Sequence, residues 1–313
     1  MTTALIHSPH FLDHDTGPGH PERPDRLRAV TRALRDHGLW DRLIHLDFGP
    51  ATSATITRVH APAYIDRLVE ACHLGRGYID SPDSVIGLAS EEIARLAAGG
   101  AVAAADAVAG GVVDRAFCAV RPPGHHAEAD RSMGFCLYNN IAIAAAHLIA
   151  QHGLERVAIV DFDVHHGNGT QHIFEHRDDV LFASLHQDPL TLYPGTGHAR
   201  ETGVAGGEGY TINVPLPAGA DDAVCLRAWR QQVRPRVLAY RPQALLISAG
   251  FDAAAADPLA HLEVSVDGFE QLTRELRDVA EQCCDGRIIS MLEGGYDLNA
   301  LGEGVARHVE LLL

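Results

Sequence analysis

The feature that most limits how this chain can fold is an alternation, from end to end, of short apolar segments with helical patterns. Many of the apolar segments are continuously apolar, which is typical of strands buried on both faces of a sheet. Strands that alternate with helices predict βαβ units, and therefore an α/β fold with a parallel sheet. The predicted strands are ALIHSP near residue 4, LIHLDF near 43, FCAV at 117–120, VAIVDFD at 157–163, VLFASLHQ from 180, YTINVPLP from 210, ALLISAG from 244 and RIISMLEGG from 287.

Helices are predicted between these strands, over residues 22–37, 91–109, 140–152 and 268–282. Gly38 and Gly153 follow the first and third of these helices and favour their termination there. Asp267 followed by Glu270 predicts a capping box at the start of the last one. The chain contains no repeat, low-complexity tract or linker-like segment, so we predict a single domain over residues 1–313.

Composition narrows the functional classes. The formal net charge of −16 argues against nucleic-acid binding, because such a surface repels phosphates. An acidic surface attracts cationic substrates, but it is also common in proteins that are acidic only for solubility. The six cysteines form no C-x-x-C pair, which favours a reducing compartment. No signal peptide or membrane-length apolar run is present, so the sequence predicts a soluble cytoplasmic protein without membrane partners.

The segment VAIVDFDVHHGNGTQ predicts a metal site. Its strand leads into Asp161, Asp163 and His165, and alternate residues of a strand face the same way. A second predicted strand, ALLISAG, is followed by Asp252. Two carboxylates and one imidazole leave coordination positions open, as in catalytic zinc sites, although Fe²⁺ and Co²⁺ also suit such ligands. An isolated D-x-H pattern also occurs in ordinary turns at strand ends.

Two further motifs predict catalytic groups. RPPGHHAE carries His125 and His126, and paired imidazoles beside a metal can serve as general base and proton donor. LEGGYD carries Tyr296, whose hydroxyl can stabilise an oxyanion. Taken alone, a histidine pair is often a surface turn, and GGY is often a turn with a half-buried tyrosine.

In combination, the motifs resemble those of the histone deacetylase and acetylpolyamine amidohydrolase superfamily. The resemblance covers nearly the whole chain in order: HPERPDR, RPPGHH, GFCLYNN, DFDVHHGNGTQ, SLHQ with YPGTG, SAGFD and EGGY. It implies a three-layer arginase-like α/β fold with a single eight-stranded parallel sheet flanked by helices. It is closest to class II members of bacterial type, because the position that supports His126 is Asn168.

The resemblance also implies roles for individual residues. The zinc ligands would be Asp163, His165 and Asp252. The catalytic group would be His126 as general base with Asn168 behind it, His125 as its electrostatic partner oriented by Asp161, and Tyr296 as the residue that polarises the carbonyl. Two K⁺ sites are implied: an inner site at Asp161, Asp163, His165, Ser184 and Leu185, and an outer site at Phe174, Arg177, Val180 and Tyr210.

The acyl-lysine tunnel of the family would correspond to Gly134, Phe135 and Tyr193, with Leu259, Gly294 and Gly295 also contacting substrate. Without the resemblance, core packing is the alternative explanation for both aromatics. Arg26 matches an arginine near the acetate exit, although an exposed helix arginine is the simpler interpretation. Asp80 and Asp83 are candidates for gripping substrate, against the alternative of solvated loop acids.

The predicted function is therefore hydrolysis of an acyl group from a lysine side chain by a metal-dependent deacetylase. An acylated polyamine offers the same reacting amide, but polyamine-specific class II relatives carry a glutamate where this chain has Leu259. A non-catalytic acyl-lysine binder and a binuclear ureohydrolase are the remaining alternatives. The expected partners are acylated lysines in proteins or acylated small amines. The sequence leaves the acyl length and the oligomeric state open, a homo-oligomer included.

Overall fold

A computed structural model describes all residues, 1–313, and contains ten strands. Eight of them form one sheet in which every neighbouring pair is parallel, in the order β2-β1-β5-β10-β9-β6-β7-β8. The other two form a separate antiparallel hairpin, β3 with β4. The strands are β1 (Thr3–Ile6), β2 (Ile44–His45), β3 (Tyr78–Ile79), β4 (Ser81–Val85), β5 (Arg115–Cys118), β6 (Val157–Asp161), β7 (Val180–Gln187), β8 (Thr211–Leu216), β9 (Ala244–Ala249) and β10 (Ile288–Leu292).

The central strands are buried on both faces, which is why their sequences are continuously apolar rather than alternating. The predicted α/β class and the single eight-stranded parallel sheet are therefore confirmed. The segment LIHLDF contributes only the two exposed residues of β2, because it lies at the sheet edge and has one neighbouring strand.

Helices cover the sheet in two layers. On one side α4 packs against α5, and on the other α10 packs against both α1 and α9. The helices are α1 (Asp25–Asp36), α2 (Ser53–Ile56), α3 (Pro62–His73), α4 (Ser90–Ala109), α5 (Asn140–His152), α6 (Asn168–Phe174), α7 (Asp222–Ala228), α8 (Arg234–Tyr240), α9 (Val266–Cys284) and α10 (Leu298–Leu312). None of them is both long enough and apolar enough to span a bilayer.

One expectation about a helix start is wrong. The helix α9 is capped by Ser265, whose hydroxyl accepts the N–H of Gly268 at 3.1 Å, and not by the predicted capping box at Asp267. Asp267 lies in the first turn, where a carboxylate favours the helix dipole without capping it. The stretch after α3 contains the hairpin β3–β4. The sequence analysis did not predict this hairpin, because its strands are short and β4 is largely polar.

Candidate active site

Four motif-bearing loops meet because of the strand order. The neighbours β5, β10, β9 and β6 are parallel, so their carboxyl ends lie along one edge of the sheet. The loops that follow them carry RPPGHH, EGGY, GFD and DVHHGN, respectively. Ligands in sheets of this kind bind outside the carboxyl ends of the strands. Motifs that are far apart in the sequence therefore lie close together at this edge of the sheet.

The predicted metal ligands converge within this cluster. The Nδ1 atom of His165 lies 3.1 Å from Asp163 Oδ1 and 3.2 Å from Asp252 Oδ2. All three residues are buried. The strand pleat is not what aligns them, because β6 ends at Asp161. The loop is instead shaped by carboxylates that accept backbone N–H groups: Asp161 accepts from Asp163 at 3.1 Å, and Asp163 accepts from His165 at 2.9 Å.

The same carboxylates connect the neighbouring loops. Asp252 Oδ1 accepts the N–H of Val164 at 3.0 Å, and Asp163 Oδ2 accepts the N–H of Gly294 at 2.8 Å. A side chain at position 294 would overlap the carboxylate oxygens of Asp163 and Asp252, so only glycine fits there. The glycines of the EGGY motif therefore allow the backbone to approach the two acids closely.

The three residues fit a divalent metal ion. Asp252 Oδ2 is buried and has no hydrogen-bond partner, although it lies 3.2 Å from the imidazole nitrogen. Two buried carboxylates are costly unless a cation compensates them. Ligand bonds of about 2.0–2.2 Å to one ion place the donor atoms roughly 3–3.5 Å apart, which includes the distances found here. The donor set of two oxygens and one nitrogen is a candidate metal site with room for substrate and water.

Both catalytic histidine candidates lie beside this site and contact a polar side chain behind them. Nδ1 of His125 lies 2.9 Å from Asp161 Oδ2, and Nδ1 of His126 lies 2.7 Å from Asn168 Oδ1. The two rings are 4.0 Å apart between centroids. Burial alone would lower the pKa of His125, but the carboxylates of Asp161 and Asp163 outweigh it and raise that pKa to about 10. Burial, followed by the neighbouring imidazoles His125 and His165, holds the pKa of His126 well below its usual value.

The backbone that carries the histidine pair is fixed by Glu293, which the sequence analysis missed. This fully buried carboxylate accepts the N–H groups of Gly124 at 2.7 Å and His125 at 3.1 Å. Its other oxygen accepts the Ser248 hydroxyl at 2.9 Å. The sequence did contain a signal for Glu293 that was not used, namely an acid directly after a buried strand, inside LEGGY.

Tyr296 follows directly after Gly294 and Gly295 of the EGGY motif. Its backbone N–H donates to Asp257 Oδ2 at 2.7 Å, and its ring lies 5.1 Å from the guanidinium carbon of Arg26. Arg26 is fully buried, donates to the carbonyl oxygen of Gly295 at 2.7 Å and also bonds that of Glu293. The interpretation of Arg26 as an exposed helix residue is therefore wrong. Burial raises the pKa of Tyr296 well above its usual value, so its hydroxyl keeps its proton and remains a donor.

Each of the two aromatic tunnel candidates lies close to a predicted site residue. The Phe135 ring contacts those of His20 and Tyr296, at centroid distances of 4.7 and 5.9 Å. The Tyr193 ring, 40% exposed, lies 5.2 Å from that of His126 and 6.3 Å from that of His165. Neither is a simple core residue. Phe135 has a φ of 68°, a strained backbone conformation of the kind that often marks a functional position.

The remaining substrate candidates shape the neighbouring loops. Gly134 packs directly against the His126 ring, and its N–H donates to Asp83 Oδ2 at 3.2 Å. Asp80 accepts the N–H of Ser132 at 2.8 Å and pairs with Arg67 at 3.0 Å. The two acids therefore anchor backbone or an arginine instead of being merely solvated. Leu259 is half-buried, and its N–H donates to Asp257 Oδ1 at 3.0 Å.

The predicted K⁺ residues fall in two places. Ser184 is paired in register with Asp161 across β6 and β7, and Leu185 follows it, so the inner set joins the end of β6 and its loop to the adjacent part of β7. The outer set lies on the connection from α6 into β7 and just before β8: Phe174, Arg177, Val180 and Tyr210. Arg177 in this set pairs with Asp179 at 2.7 Å.

A second group of potential metal ligands lies on α4 and α5, away from the sheet edge. The Nε2 atoms of His147 and His152 each lie 2.7 Å from Asp106 Oδ1. Arg58 lies 2.7 Å from His147 Nδ1, and a guanidinium only donates, so Nε2 of His147 carries the hydrogen. Hydrogen bonds explain this arrangement, and Nε2 of His147, the atom that faces Asp106, has no lone pair to offer a metal.

An Asp–His–Asp cluster at the carboxyl edge of a parallel sheet, flanked by paired histidines, is a candidate metal site of the kind that metal-dependent hydrolases use. Comparison with known proteins identifies the family. Residues 20–312 match the model of the histone deacetylase domain. The chain therefore belongs to the histone deacetylase family, as the motifs predicted, and it is a hydrolase of the deacetylase and amidohydrolase type.

Individual relatives are similar over most of their length. A probable deacetylase of Archaeoglobus fulgidus is 41% identical over 300 residues, which span 95% of this chain and 82% of that protein. A histone deacetylase-like amidohydrolase of Pseudomonas aeruginosa is 44% identical over 279 residues, spanning 89% of this chain and 73% of that protein. The crystal structure of the HDA15 HD domain superimposes with a TM-score of 0.94 at 38% identity, covering 99% of this chain and 89% of that one.

Proposed function

We propose that this protein is a zinc-dependent deacylase that hydrolyses the acyl amide of a modified lysine side chain, releasing a carboxylate and the free amine. The observation that carries the proposal is that Asp163 and Asp252 converge on Nδ1 of His165, at 3.1 and 3.2 Å, next to the two supported histidines. Zinc bound by these three residues supplies Lewis-acid polarisation of the acyl carbonyl and of the attacking water.

The side chains of this chain perform the remaining steps. His126 accepts a proton from water as the water oxygen bonds to the acyl carbon. The Tyr296 hydroxyl donates a hydrogen bond to the acyl oxygen as negative charge develops on it. The proton taken by His126 then passes to the amine nitrogen as the carbon–nitrogen bond breaks. His125, hydrogen-bonded to Asp161, provides the positive charge beside these transfers.

Lysine is favoured over a polyamine by the residue at position 259. Relatives specific for polyamines carry a glutamate at this position to bind the distant ammonium, whereas Leu259 offers no charge. The aromatic rings of Phe135 and Tyr193 suit the aliphatic stem of an acyl-lysine, which passes between apolar faces. An acylpolyamine amidohydrolase remains the second candidate, because the reacting amide is the same.

Potassium is part of the same proposal. The inner site is supported by the adjacency of Asp161 and Ser184 on paired strands. The outer site is supported only by the matching positions around α6 and β7. A cytoplasmic location is also proposed, because all six cysteines are free, as is usual in reducing compartments.

Substrate profiling tests this function. The purified protein, loaded with zinc, is offered acetyl-lysine peptides, peptides with longer acyl-lysines, and N-acetylated polyamines at equal concentrations. We expect the highest kcat/KM among the lysine peptides, with Leu259→Glu shifting the preference towards the polyamines. Turnover of the polyamines alone would transfer the assignment to the second candidate, and no turnover of any substrate would overturn the deacylase function.

A further inference from the structure

The support behind His126 does not end at Asn168. The Asn168 Nδ2 group lies 2.7 Å from Glu128 Oε1, and Glu128 Oε2 lies 2.7 Å from His172 Nδ1. Glu128 is 7% exposed, and Asn168 is almost completely buried. A chain of hydrogen bonds therefore runs from the candidate general base to a half-buried histidine on α6, through an acid that the function proposed above does not use.

The chemistry of these partners fixes the orientation of the Asn168 amide. An ionised carboxylate only accepts hydrogen bonds, so the amide atom that faces Glu128 has to be the NH₂ group. The contacts from His172 and Asn168 outweigh burial and hold the pKa of Glu128 below its usual value, so it is ionised at neutral pH. The second amide hydrogen points to the carbonyl oxygen of His126 at 3.3 Å.

This orientation sets the tautomer of His126. With NH₂ turned to Glu128, the amide oxygen of Asn168 faces His126 Nδ1 at 2.7 Å. An amide oxygen only accepts, so Nδ1 carries the hydrogen and Nε2 of the neutral ring keeps its lone pair. A flipped amide would donate to Nδ1 and place the hydrogen on Nε2, which then has no lone pair to take a proton.

We propose that Glu128 is a positioning residue for this reaction, acting through Asn168 to hold His126 in the tautomer that accepts a proton at Nε2. The inference rests on the hydrolytic function proposed above. It also explains why position 168 carries an amide. An aspartate there would set a second carboxylate against Glu128 Oε1, at a separation now 2.7 Å, with no hydrogen between the two oxygens.

Kinetics of four variants test the proposal: Glu128→Ala, Glu128→Gln, Asn168→Asp and the double variant Glu128→Gln/Asn168→Asp. Glu270→Gln, a half-exposed acid paired with Arg274 on α9, is the matched control. We expect Glu128→Ala to lower kcat by about 10-fold or more with KM changed by less than about 2-fold. Glu128→Gln retains an acceptor for Asn168 and should stay within about 3-fold of the unmodified kcat.

The double variant distinguishes the proposal from a folding defect, because a folding defect in either single variant would not be relieved by adding the second change. Asn168→Asp alone should lose activity through repulsion from Glu128. The added Glu128→Gln supplies an NH₂ donor to the new carboxylate, so it should recover at least about 5-fold of the lost kcat. Effects of the two changes that simply multiply, or an unchanged kcat in Glu128→Ala, would overturn the proposal.

A readout independent of turnover separates this inference from the function itself. Long-range ¹H–¹⁵N correlation of the histidine side chains reports which ring nitrogen of His126 carries hydrogen. We expect the Nδ1–H form in the unmodified protein and a mixture of tautomers in Glu128→Ala. The same tautomer in both would contradict the role of Glu128. An inactive unmodified protein with the expected tautomer shift would instead contradict the deacylase function alone.

Discussion

Asp257 bonds to the backbone of Tyr296: its Oδ2 atom accepts the tyrosine N–H at 2.7 Å. The same oxygen accepts the N–H of Asp297 at 3.2 Å, and Oδ1 accepts that of Leu259 at 3.0 Å. One buried carboxylate thus joins the loop after β9, which carries the proposed metal ligand Asp252, to the loop after β10, which carries the tyrosine. The relative placement of the two groups depends on this connection.

Asp257→Ala is therefore expected to reduce kcat by about 100-fold, because a displacement of about 1 Å in a positioned group has an effect of that size. Asp257→Asn keeps one acceptor oxygen for Tyr296 and should lose less. Steady-state kinetics with the preferred acyl-lysine peptide measure both. An alanine variant as active as the unmodified protein would show that the connection does not position the tyrosine.

Tyr296→Phe removes only the hydroxyl proposed to bind the acyl oxygen. Loss of one such donor commonly lowers kcat by about 100- to 1,000-fold, and we expect that range here. Zinc content should not change, since Tyr296 is not among the proposed ligands. Elemental analysis beside the kinetics distinguishes the two effects, and near-normal turnover would refute the oxyanion role.

His308 predicts acid sensitivity of the fold. Its ring is fully buried, with Nδ1 and Nε2 each 2.8 Å from a hydroxyl, of Thr273 and Ser290. Burial lowers its pKa from 6.5 to about 3. Between pH 6.5 and pH 3, the imidazole is therefore mostly protonated in the unfolded chain and mostly neutral in the folded one. The contribution of neutral His308 to the free energy of unfolding is therefore fully present well above pH 6.5 and is lost as the pH falls towards 3. By pH 5.5 this loss amounts to about 1.4 kcal/mol.

Urea unfolding at pH 7.5 and pH 5.5 measures this effect. The difference in unfolding free energy between the two pH values should be smaller in His308→Gln than in the unmodified protein. His176→Gln, at an exposed position, serves as the control and should leave the difference unchanged. An equal pH dependence in His308→Gln and the control would contradict the assignment.

A buried ion pair predicts a large effect on the free energy of unfolding. Arg121 donates to Glu22 Oε2 at 2.8 Å, and both side chains are fully buried. Glu22→Gln leaves the guanidinium without its counter-charge and should cost about 3–5 kcal/mol of unfolding free energy. Asp25→Asn, which breaks the half-exposed pair with Arg28, should cost less than about 1 kcal/mol. Similar losses in the two variants would show that burial does not govern this pair.

The sequence predicted those parts of the molecule that depend on local pattern. VLFASLHQ coincides with β7 and residues 140–152 with α5, because a doubly buried strand and an alanine-rich helix between clear stop signals are both locally encoded. The end of β6 and the cap of α9 were misplaced, because distant acids determine them. Asp252 helps to hold the loop after β6, and Asp222 accepts both the N–H and the hydroxyl of Ser265.

The same reasoning explains which candidate site residues could be predicted from the sequence. Asp163, His165 and Asp252 follow predicted strands, so the parallel sheet alone brings them to one edge. Three acids that the sequence analysis missed accept hydrogen bonds from distant parts of the chain: Glu128, Asp257 and Glu293. Their partners lie 40 residues away for Glu128, 39 for Asp257 and at least 168 for Glu293. Partners at such separations emerge only when the loops are folded. For Glu128 and Glu293, the one available signal was an acid inside a motif already assigned to histidine or glycine chemistry.

Zinc content of the purified protein tests most directly whether one divalent ion is held between the loops after β6 and β9. After chelation and reloading, elemental analysis should find one zinc per chain in the unmodified protein and in Asp106→Ala, which alters only the helix cluster. Asp252→Ala should lose the ion, and activity with it. One zinc per chain in Asp252→Ala, or none in the unmodified protein, would contradict the proposed site.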